Sequence, residues 1–369
     1  MRKLASIQRV TDIRPIEGRD RIEQCHVNGW NVIVKKGEFA DGDLCCYVEI
    51  DSQMPEQPEY EFLRPKKFRI RTMKMAGVLS EGICFPLTVL PAREKPYELD
   101  EDVTELMGVT KWEPQEDEQW WKDMKAAPVQ LTFWEKLPLM RFKWYRRIFG
   151  KRRKAGGFPD FIPVTDETRI QNMPFILEDK KTKWLLTEKV DGTSGTFVLL
   201  RHKRFLLPDT FEFIVCSRKM RLAKDMKSHY WQVAERYCIE YVLRCLIGDE
   251  DWVAIQGEII GPKIQKNKYK ASCPDLYVFN LLWPNIGSRA WRRQDSVSAA
   301  YRLKQFGMKF VPIVDTDVVL PDTVDEVLAL AHGQSRIGDT LREGLVFRSM
   351  DGQQSFKAVD PEFLIHYGI

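Results

Sequence analysis

Short hydrophobic segments separated by turn residues mark the first 110 positions of the chain. They predict β-strands at residues 4–9, 22–27, 30–35, 44–50, 68–73 and 82–87. Asn28-Gly29 stands between two of these strands and predicts a type I′ hairpin. Asp41-Gly42-Asp43 is a turn that leads into a segment rich in β-favouring residues. Several short strands without a long helix favour a small barrel of the OB type, a fold that often binds nucleic acid.

The rest of the chain mixes strand and helix patterns. Strands are predicted at residues 183–187, 196–200, 211–216, 253–260, 276–282 and 344–348, and helices at residues 228–247 and 324–331. We therefore predict an α+β fold in which an OB-like β-barrel precedes a larger domain. The predicted limits are 1–110 for an OB-like nucleic-acid-binding domain, 111–157 for a charged linker and 158–369 for the second domain.

The length of 369 residues suggests two or three domains, and a hydrophobic fraction of 44% can supply ordinary soluble cores. The formal net charge of +4 is mild, but the charges are unevenly placed. Acidic residues dominate positions 113–123, and a basic run with interspersed aromatic residues follows at 136–154. One interpretation of the basic run is a contact with phosphates and bases. The others are a solvated linker or packed helix and, less favoured, a helix on a membrane surface.

Targeting features are sparse. Met1-Arg2-Lys3 precedes no long apolar core, and no apolar run reaches the roughly 18 residues of a membrane span. The eight cysteines include no CxxC pair, which argues against a zinc site or a disulfide framework. We expect a monomer without a membrane partner, in the cytoplasm or, in a eukaryote, the nucleoplasm.

The segment KVDG at residues 189–192 carries the most informative chemistry, because a lysine two residues before Asp-Gly can attack the α-phosphate of a nucleotide. The lysine must be neutral to attack, so its pKa has to be lowered by desolvation or by neighbouring cations. The apolar residues 184–186 predict a buried strand, with Lys189 in the loop that follows. Asp191 can steer a metal, and Gly192 lets the backbone approach a phosphate. The alternative is a lysine that ends a strand before an ordinary Asp-Gly turn.

Further motifs follow this segment in order. They are Ser217-Arg218, QGEIIG at 256–261, YVFN at 277–280, EGLVFR at 343–348 and SFKAV at 355–359. Together with the lysine segment, they resemble the nucleotidyltransferase superfamily of RNA ligases, DNA ligases and mRNA capping enzymes. The resemblance covers roughly residues 160–360, and the alternative is a set of unrelated strand ends.

The resemblance implies that Lys189 is the catalytic nucleophile of an adenylyltransferase domain. The implied ATP-binding residues are Glu188, Lys189, Asp191, Gly192, Arg218, Glu258, Phe279, Glu343 and Lys357. The implied metal-binding residues, acting partly through water, are Asp191, Glu258 and Glu343. Carboxylates suit hard cations, and an aromatic face can stack on adenine. Lys357 can neutralise the α-phosphate and, as a nearby cation, depress the pKa of Lys189. The alternatives are surface strand carboxylates for the glutamates and core packing for Phe279.

Many relatives carry two lysines one residue apart in the last motif, whereas Ser355 and Val359 flank Lys357 here, so one cation is missing. Two other features select a branch of the superfamily. DNA ligases and capping enzymes place an OB domain after this motif, but only the 12 residues 358–369 follow Lys357. Thr193-Ser194 after Asp-Gly also looks more like RNA ligases. An N-terminal OB-like module followed by such a core resembles the RNA ligases of the Deinococcus and Naegleria type.

Candidate contacts with nucleic acid lie on either side of the lysine segment. Residues 165–171, with Arg169, precede the segment and are interpreted as a contact with ATP or an RNA end, or as a helix cap. Lys263, Lys266 and Lys268 follow the QGEIIG motif and are interpreted as a grip on a phosphate backbone, or as solvated charges.

The sequence therefore predicts an ATP-dependent RNA ligase that uses Mg²⁺ or Mn²⁺. Lysyl-AMP forms first, AMP then passes to a 5′-phosphate, and a 3′-OH displaces it. The resemblance implies RNA or RNA/DNA nicked duplexes whose 3′-OH strand is RNA, a reaction of RNA repair. The alternatives are a DNA ligase and a non-catalytic RNA-binding protein with an inactive core. The presence of Lys189, Glu258, Glu343 and Lys357 speaks against the inactive core.

Overall fold

The computed structural model of the protein describes residues 3–112, 157–204, 206–285 and 291–368. Within these ranges, the chain forms two compact units. The first unit comprises residues 3–112, 167–189 and 313–368, and the second comprises residues 157–166 and 190–312. The acidic and basic runs at 113–123 and 136–154 lie outside the described residues. Their roles, and the predicted domain limits, stay predictions.

Strands and helices are numbered in chain order. The strands are β1 (Ala5–Pro15), β2 (Ile22–Val27), β3 (Trp30–Lys35), β4 (Leu44–Val48), β5 (Ser52–Gln53), β6 (Arg69–Ile70), β7 (Met73–Met75), β8 (Val78–Ser80), β9 (Ile83–Pro86), β10 (Thr110–Lys111), β11 (Trp184–Lys189), β12 (Thr193–His202), β13 (Thr210–Cys216), β14 (Trp252–Ile260), β15 (Asp275–Pro284), β16 (Trp291–Arg293), β17 (Lys309–Phe310), β18 (Ile313–Val318), β19 (Gly344–Ser349) and β20 (Ser355–Val359). The α-helices are α1 (His229–Arg236), α2 (Ile239–Leu246), α3 (Ser296–Lys304), α4 (Val324–Ala331) and α5 (Pro361–Tyr367). Short 3₁₀ helices lie at Pro58–Lys66, Leu87–Val89, Ile170–Asn172, Pro174–Glu178 and Gln265–Asn267.

The N-terminal strands of the first unit form an antiparallel sheet in the order β3-β2-β1-β4-β9. The first half of β1 pairs with β4 and its second half pairs with β2. The register of β1 shifts between Thr11 and Arg14, and Asp12 has a φ of 54° there. A bulge of this kind bends a strand, so one strand can serve both sides of a curled sheet.

The hairpin between β2 and β3 has the predicted position, but the predicted turn type is wrong. Asn28 has a φ of 52°, whereas Gly29 is not at positive φ, and a type I′ turn needs both. The turn is docked, because the Gly29 amide donates to the Gln171 carbonyl at 3.1 Å. A Cβ at Gly29 would lie 2.8 Å from the Gln171 Cα, so only glycine fits this approach. The predicted strand at 68–73 also differs, since the chain breaks it into β6 and the start of β7.

The core of this barrel includes residues from the far end of the chain. Val359, Phe363 and Leu364 are buried in the same hydrophobic cluster as Ile7 and Trp30. The last strand and helix of the chain therefore complete the interior of the N-terminal barrel.

A second sheet of the first unit has the order β18-β11-β19-β20 and is antiparallel. Its buried face carries Trp184, Phe347 and Phe356, and the last two rings stack at 4.7 Å. Helix α4, confirmed at its predicted position, packs Val327 and Ala331 into this cluster.

The second unit is built on the sheet β13-β12-β14-β15-β16, with β17 pairing in parallel beside β15. The single helix predicted at 228–247 is wrong, because α1 and α2 are separated by Cys238 at a φ of 47°. A left-handed residue cannot continue a helix, and the break lets each half bury its own apolar face. Those faces are Tyr230, Val233 and Ala234 in α1, and Ile239, Val242 and Leu243 in α2. Within the described part of the chain, no helix is both long and apolar enough to span a membrane.

Candidate active site

Lys189 is the last residue of β11, and strand register brings it to Glu343. Pairing of β11 with β19 sets Lys189 opposite Gly344, so Glu343 immediately precedes the paired position. The Lys189 Nζ lies 2.5 Å from the Glu343 Oε1, and the two side chains are 24% and 13% exposed. A Cβ at Gly344 would lie 2.1 Å from the Ala358 carbonyl oxygen, so this approach of strands requires glycine. The pair is thus fixed by backbone pairing, yet solvent still reaches the lysine.

The second oxygen of Glu343 offers a place for a cation. Glu343 Oε2 is buried and has no hydrogen-bond partner among the described residues. A buried acceptor without a partner is costly, and a hard cation or a bound water supplies what it lacks. The site therefore fits a divalent metal on its own chemistry.

Glu188 faces the opposite way from Lys189, as alternation along a strand requires. Its carboxylate is buried and accepts from Ser335 Oγ at 2.5 Å and from the Arg336 amide at 2.9 Å. Arg336 in turn donates to the carbonyls of Ile313 and Val314. The Glu188 side chain thus anchors the loop at 335–336, and its assignment to ATP binding stays a prediction.

Lys357 lies in β20, opposite Val346 of β19, and its amide donates to the Thr168 carbonyl at 2.8 Å. Its two flanking positions explain the departure from the two-lysine pattern. Ser355 donates to Glu167 at 2.5 Å, and Val359 is buried in the barrel core. A second lysine at 359 would have to bury its charge in that core.

In the second unit, the turn after the nucleophile is held on two sides. A Cβ at Gly192 would lie 2.3 Å from the Ile259 carbonyl oxygen and 3.0 Å from Glu258 Cγ, so β14 leaves room for glycine alone. From the other side, Lys268 forms an ion pair with Asp191, and Tyr269 accepts a hydrogen bond from the Asp191 amide at 2.9 Å.

Glu258 and Phe279 lie on paired strands of the same unit. Glu258 is partly exposed within the otherwise buried β14 and pairs with Tyr277 of β15. The register shifts at the next position, where Gly257 pairs with Val278 and Gln256 with Asn280, so Phe279 is the extra residue of a bulge. Val278 is fully buried, whereas Phe279 is only partly buried. Phe279 thus shares the less buried side of β15 with Tyr277, which weakens the core-packing alternative.

Arg218 lies beside the segment that precedes the lysine motif. Its guanidinium is 2.8 Å from Asp166, and both side chains are partly exposed. The neighbouring Thr165 hydroxyl is 3.1 Å from that of Ser194. The 165–166 segment is thus tied to β12 and to the arginine motif within the second unit.

Comparison with known proteins assigns the family. A family model described as an OB-fold domain matches residues 4–87, and one described as RNA ligase matches residues 182–359. The RNA ligase of Naegleria gruberi, solved with pyrophosphate, is 33% identical with a TM-score of 0.76, covering 99% of this chain and 98% of that one. This chain belongs to the RNA ligase family. The predicted OB fold and the resemblance to ligases of the Naegleria type are confirmed.

Two further structures of the Naegleria gruberi ligase are also similar to the present chain. A glutamate-to-alanine mutant with ATP and Mn is 32% identical with a TM-score of 0.77, covering 98% of each chain. Another glutamate-to-alanine mutant, with AMP and Mn, is 33% identical with a TM-score of 0.76, covering 98% of each chain. No curated protein sequence matches.

The four candidate nucleic-acid contacts of this ligase fall into two groups. Lys263 and Lys266 are exposed, and their role stays a prediction. Lys268 is buried against Asp191, and Arg169 is 6% exposed with its guanidinium 3.2 Å from Asp51. Direct contact with a nucleic-acid phosphate does not fit the burial of Lys268 and Arg169, because each cation already faces a carboxylate inside the protein.

Sequence reasoning missed the residues that hold the site from a distance. Ser335, Arg336 and Tyr269 act through contacts with residues 78 to 148 positions away, and no local pattern signals such contacts. Within the described ranges, His, Cys, Asp and Glu side chains form no group of three or more that could hold a metal ion. The predicted metal set, acting partly through water, stays a prediction.

Proposed function

We propose that this protein is an ATP-dependent RNA ligase that joins 3′-OH and 5′-phosphate ends through a lysyl-AMP intermediate. The contact of Lys189 with Glu343, at the strand ends where the nucleophile and a later motif meet, carries the proposal. The family assignment supports it, as do the relatives solved with ATP, AMP and Mn.

In the first step, the Lys189 Nζ attacks the α-phosphorus of ATP. The bond between the α-phosphorus and the bridging oxygen breaks, and pyrophosphate leaves. The lysine proton passes towards Glu343 Oε1, the acceptor 2.5 Å away. Lys357 balances charge on the α-phosphate. A divalent cation, Mg²⁺ or Mn²⁺, supplies Lewis-acid stabilisation of the phosphates, and Glu343, Glu258 and Asp191 would hold it, partly through water.

The remaining roles concern recognition of ATP. Phe279 stacks on the adenine, Gly192 lets the backbone approach a phosphate, and Arg218 exchanges Asp166 for the nucleotide. Glu188 keeps the strand end in place through its loop contacts.

In the later steps, an RNA 5′-phosphate takes AMP from Lys189, and a 3′-OH displaces AMP to form the phosphodiester. We infer that the substrate is a nicked duplex, RNA or RNA/DNA, with RNA on the 3′-OH side. The N-terminal barrel is the best candidate to hold the duplex, because OB folds often bind nucleic acid.

Incubation of the protein with α-labelled ATP and Mn²⁺ tests the proposal. We expect a covalent labelled adduct that transfers to a 5′-phosphorylated nick and is then sealed. Absence of an adduct would favour the non-catalytic RNA-binding protein. Sealing that is equally fast with a DNA 3′-OH strand would favour the DNA ligase.

A further inference from the structure

Two neighbouring residues of one loop contact Asp191, the aspartate two positions after the nucleophile. The Lys268 ammonium is ion-paired with the Asp191 carboxylate, and the two side chains are 3% and 12% exposed. The Tyr269 hydroxyl accepts a hydrogen bond from the Asp191 amide at 2.9 Å. The loop therefore holds both the side chain and the backbone of Asp191.

The loop at 261–274 is closed and internally braced. At its base, a Cβ on Gly261 would lie 2.9 Å from the Pro274 Cα, so the two ends of the loop touch. Ile264 and Tyr269 are buried in it. The Asn267 side chain donates to the Ala271 carbonyl at 2.9 Å and accepts from the Ala271 amide at 3.0 Å.

The backbone of this loop is strained. Five of its non-glycine residues have positive φ, a conformation that L-residues rarely adopt. They are Lys263 at 67°, Gln265 at 44°, Lys266 at 58°, Asn267 at 48° and Lys270 at 52°. Such strain persists only where the surrounding structure over-determines it, and it clusters at functional segments. In this loop, the strained backbone places Lys268 and Tyr269 in contact with Asp191.

We propose that Lys268 is a positioning residue that balances the charge of Asp191 and keeps this carboxylate out of direct metal coordination. The inference rests on the proposed function and narrows the role given there to Asp191. A carboxylate and an ammonium buried together each depend on the other, since removal of one partner leaves an uncompensated buried charge. A metal ion that bound Asp191 directly would have to displace an ammonium that is almost fully enclosed. Glu343, with an unsatisfied buried oxygen, has no such obstacle.

Variants that remove a charge test the proposal. Mn²⁺ is titrated into the full-length protein, and electron paramagnetic resonance measures the Mn²⁺ that remains free. Lys268→Met should bind Mn²⁺ about tenfold more tightly, because the freed carboxylate attracts the cation. Asp191→Asn/Lys268→Met should bind Mn²⁺ no more than about tenfold more weakly than the wild type, because it removes both charges of a neutral pair and the amide oxygen can still accept from a metal-bound water. Lys270→Met, in the same loop and exposed, is the matched control and should change nothing.

The adenylylation rate provides the second readout. Lys268→Met should lose roughly tenfold to a hundredfold in single-turnover label transfer, because the turn after Lys189 is no longer held in position. Lys268→Arg keeps the charge and should recover much of that rate. A purely structural lysine would lower the rate without tightening Mn²⁺ binding.

Weaker or unchanged Mn²⁺ binding in Lys268→Met would overturn the proposal, and so would a loss of more than about tenfold in the affinity of the double variant. If Lys268→Met does not fold, the double variant decides, since direct coordination by Asp191 predicts that it loses more affinity than this. If the wild type forms no adduct, the proposed function fails, and the Mn²⁺ titrations still decide whether Lys268 shields Asp191.

Discussion

Each unit of this ligase contains a lysine–carboxylate pair that includes a residue of the KVDG segment, and the two pairs differ in exposure. In the first unit, Lys189 is 24% exposed beside Glu343, whose second oxygen has no hydrogen-bond partner among the described residues. In the second unit, Lys268 is 3% exposed beside Asp191, and the backbone amide of Asp191 donates to the Tyr269 hydroxyl. A reactive lysine must be reached by its substrate, whereas a lysine that only fixes geometry is best enclosed. Exposure therefore distinguishes the nucleophile from the positioning residue.

A third carboxylate, that of Glu81, shows the effect of burying a carboxylate without hydrogen-bond partners. Glu81 in the barrel is almost fully buried, and both its oxygens are without a hydrogen-bond partner among the described residues. Burial raises the pKa of Glu81 to about 7, while Arg169 opposes the shift and Asp325 adds to it. Asp191 without Lys268 would resemble Glu81, which is why the pair in the second unit matters.

The largest expected effect concerns the exposed pair. Lys189→Ala should abolish covalent label transfer from ATP, because no other group replaces the attacking nitrogen, and the protein should remain folded. Gel electrophoresis of the labelled adduct measures the first and circular dichroism the second. Lys183→Ala removes an exposed lysine near the other end of the same strand and serves as the control. Adduct formation by Lys189→Ala would move the nucleophile elsewhere.

The carboxylates of the metal set should come next. Glu343→Ala and Glu258→Ala should each lower the adenylylation rate by about 10²-fold, as loss of one electrostatic group in an active site commonly does. Glu343→Gln keeps the shape and removes the charge, so it separates packing from electrostatics. Rates near that of the wild type for both alanine variants would mark these residues as scaffold.

Local sequence patterns predict elements and motifs, whereas contacts between residues distant in the sequence cannot be predicted from such patterns. β2, β3 and α4 were predictable because alternation, turn residues and helical spacing are local signals. Lys189, Glu258 and Glu343 could be identified from motif order. The packing of Val359 and Phe363 inside the N-terminal barrel was not predictable, since apolar residues do not state which distant core they join. The enclosure of Lys268 beside Asp191 was not predictable for the same reason, because a lysine in a polar loop looks solvated until its partner is known.

The cost of an unpaired buried carboxylate can be measured at Glu81. A carboxyl whose pKa is raised on folding keeps a proton that the unfolded chain loses, so stability falls as pH rises from about 4.5 to about 7. Glu81→Gln should therefore stabilise the protein at pH 8 by an amount on the order of 3 kcal/mol and hardly at all near pH 4.5. Urea unfolding at the two pH values measures this, and Glu17→Gln is the exposed control. Equal effects at both pH values would show that Glu81 does not titrate as described.

The smallest expected effect lies beside the nucleophile, where Glu188 is buried but well supplied with donors. Ser335→Ala removes one of its two donors and leaves the Arg336 amide in place. We expect a loss of about 1–2 kcal/mol in the free energy of unfolding, the cost of leaving a buried acceptor partly unsatisfied. Adenylylation should fall less than in the glutamate variants, because Lys189 keeps its own partner. Ser272→Ala, at an exposed position, should change stability by no more than about 0.5 kcal/mol. If Ser335→Ala were as inactive as Glu343→Ala, the buried contacts of Glu188 would be as important to the reaction as the exposed pair, and exposure alone would not separate the roles of the charged groups.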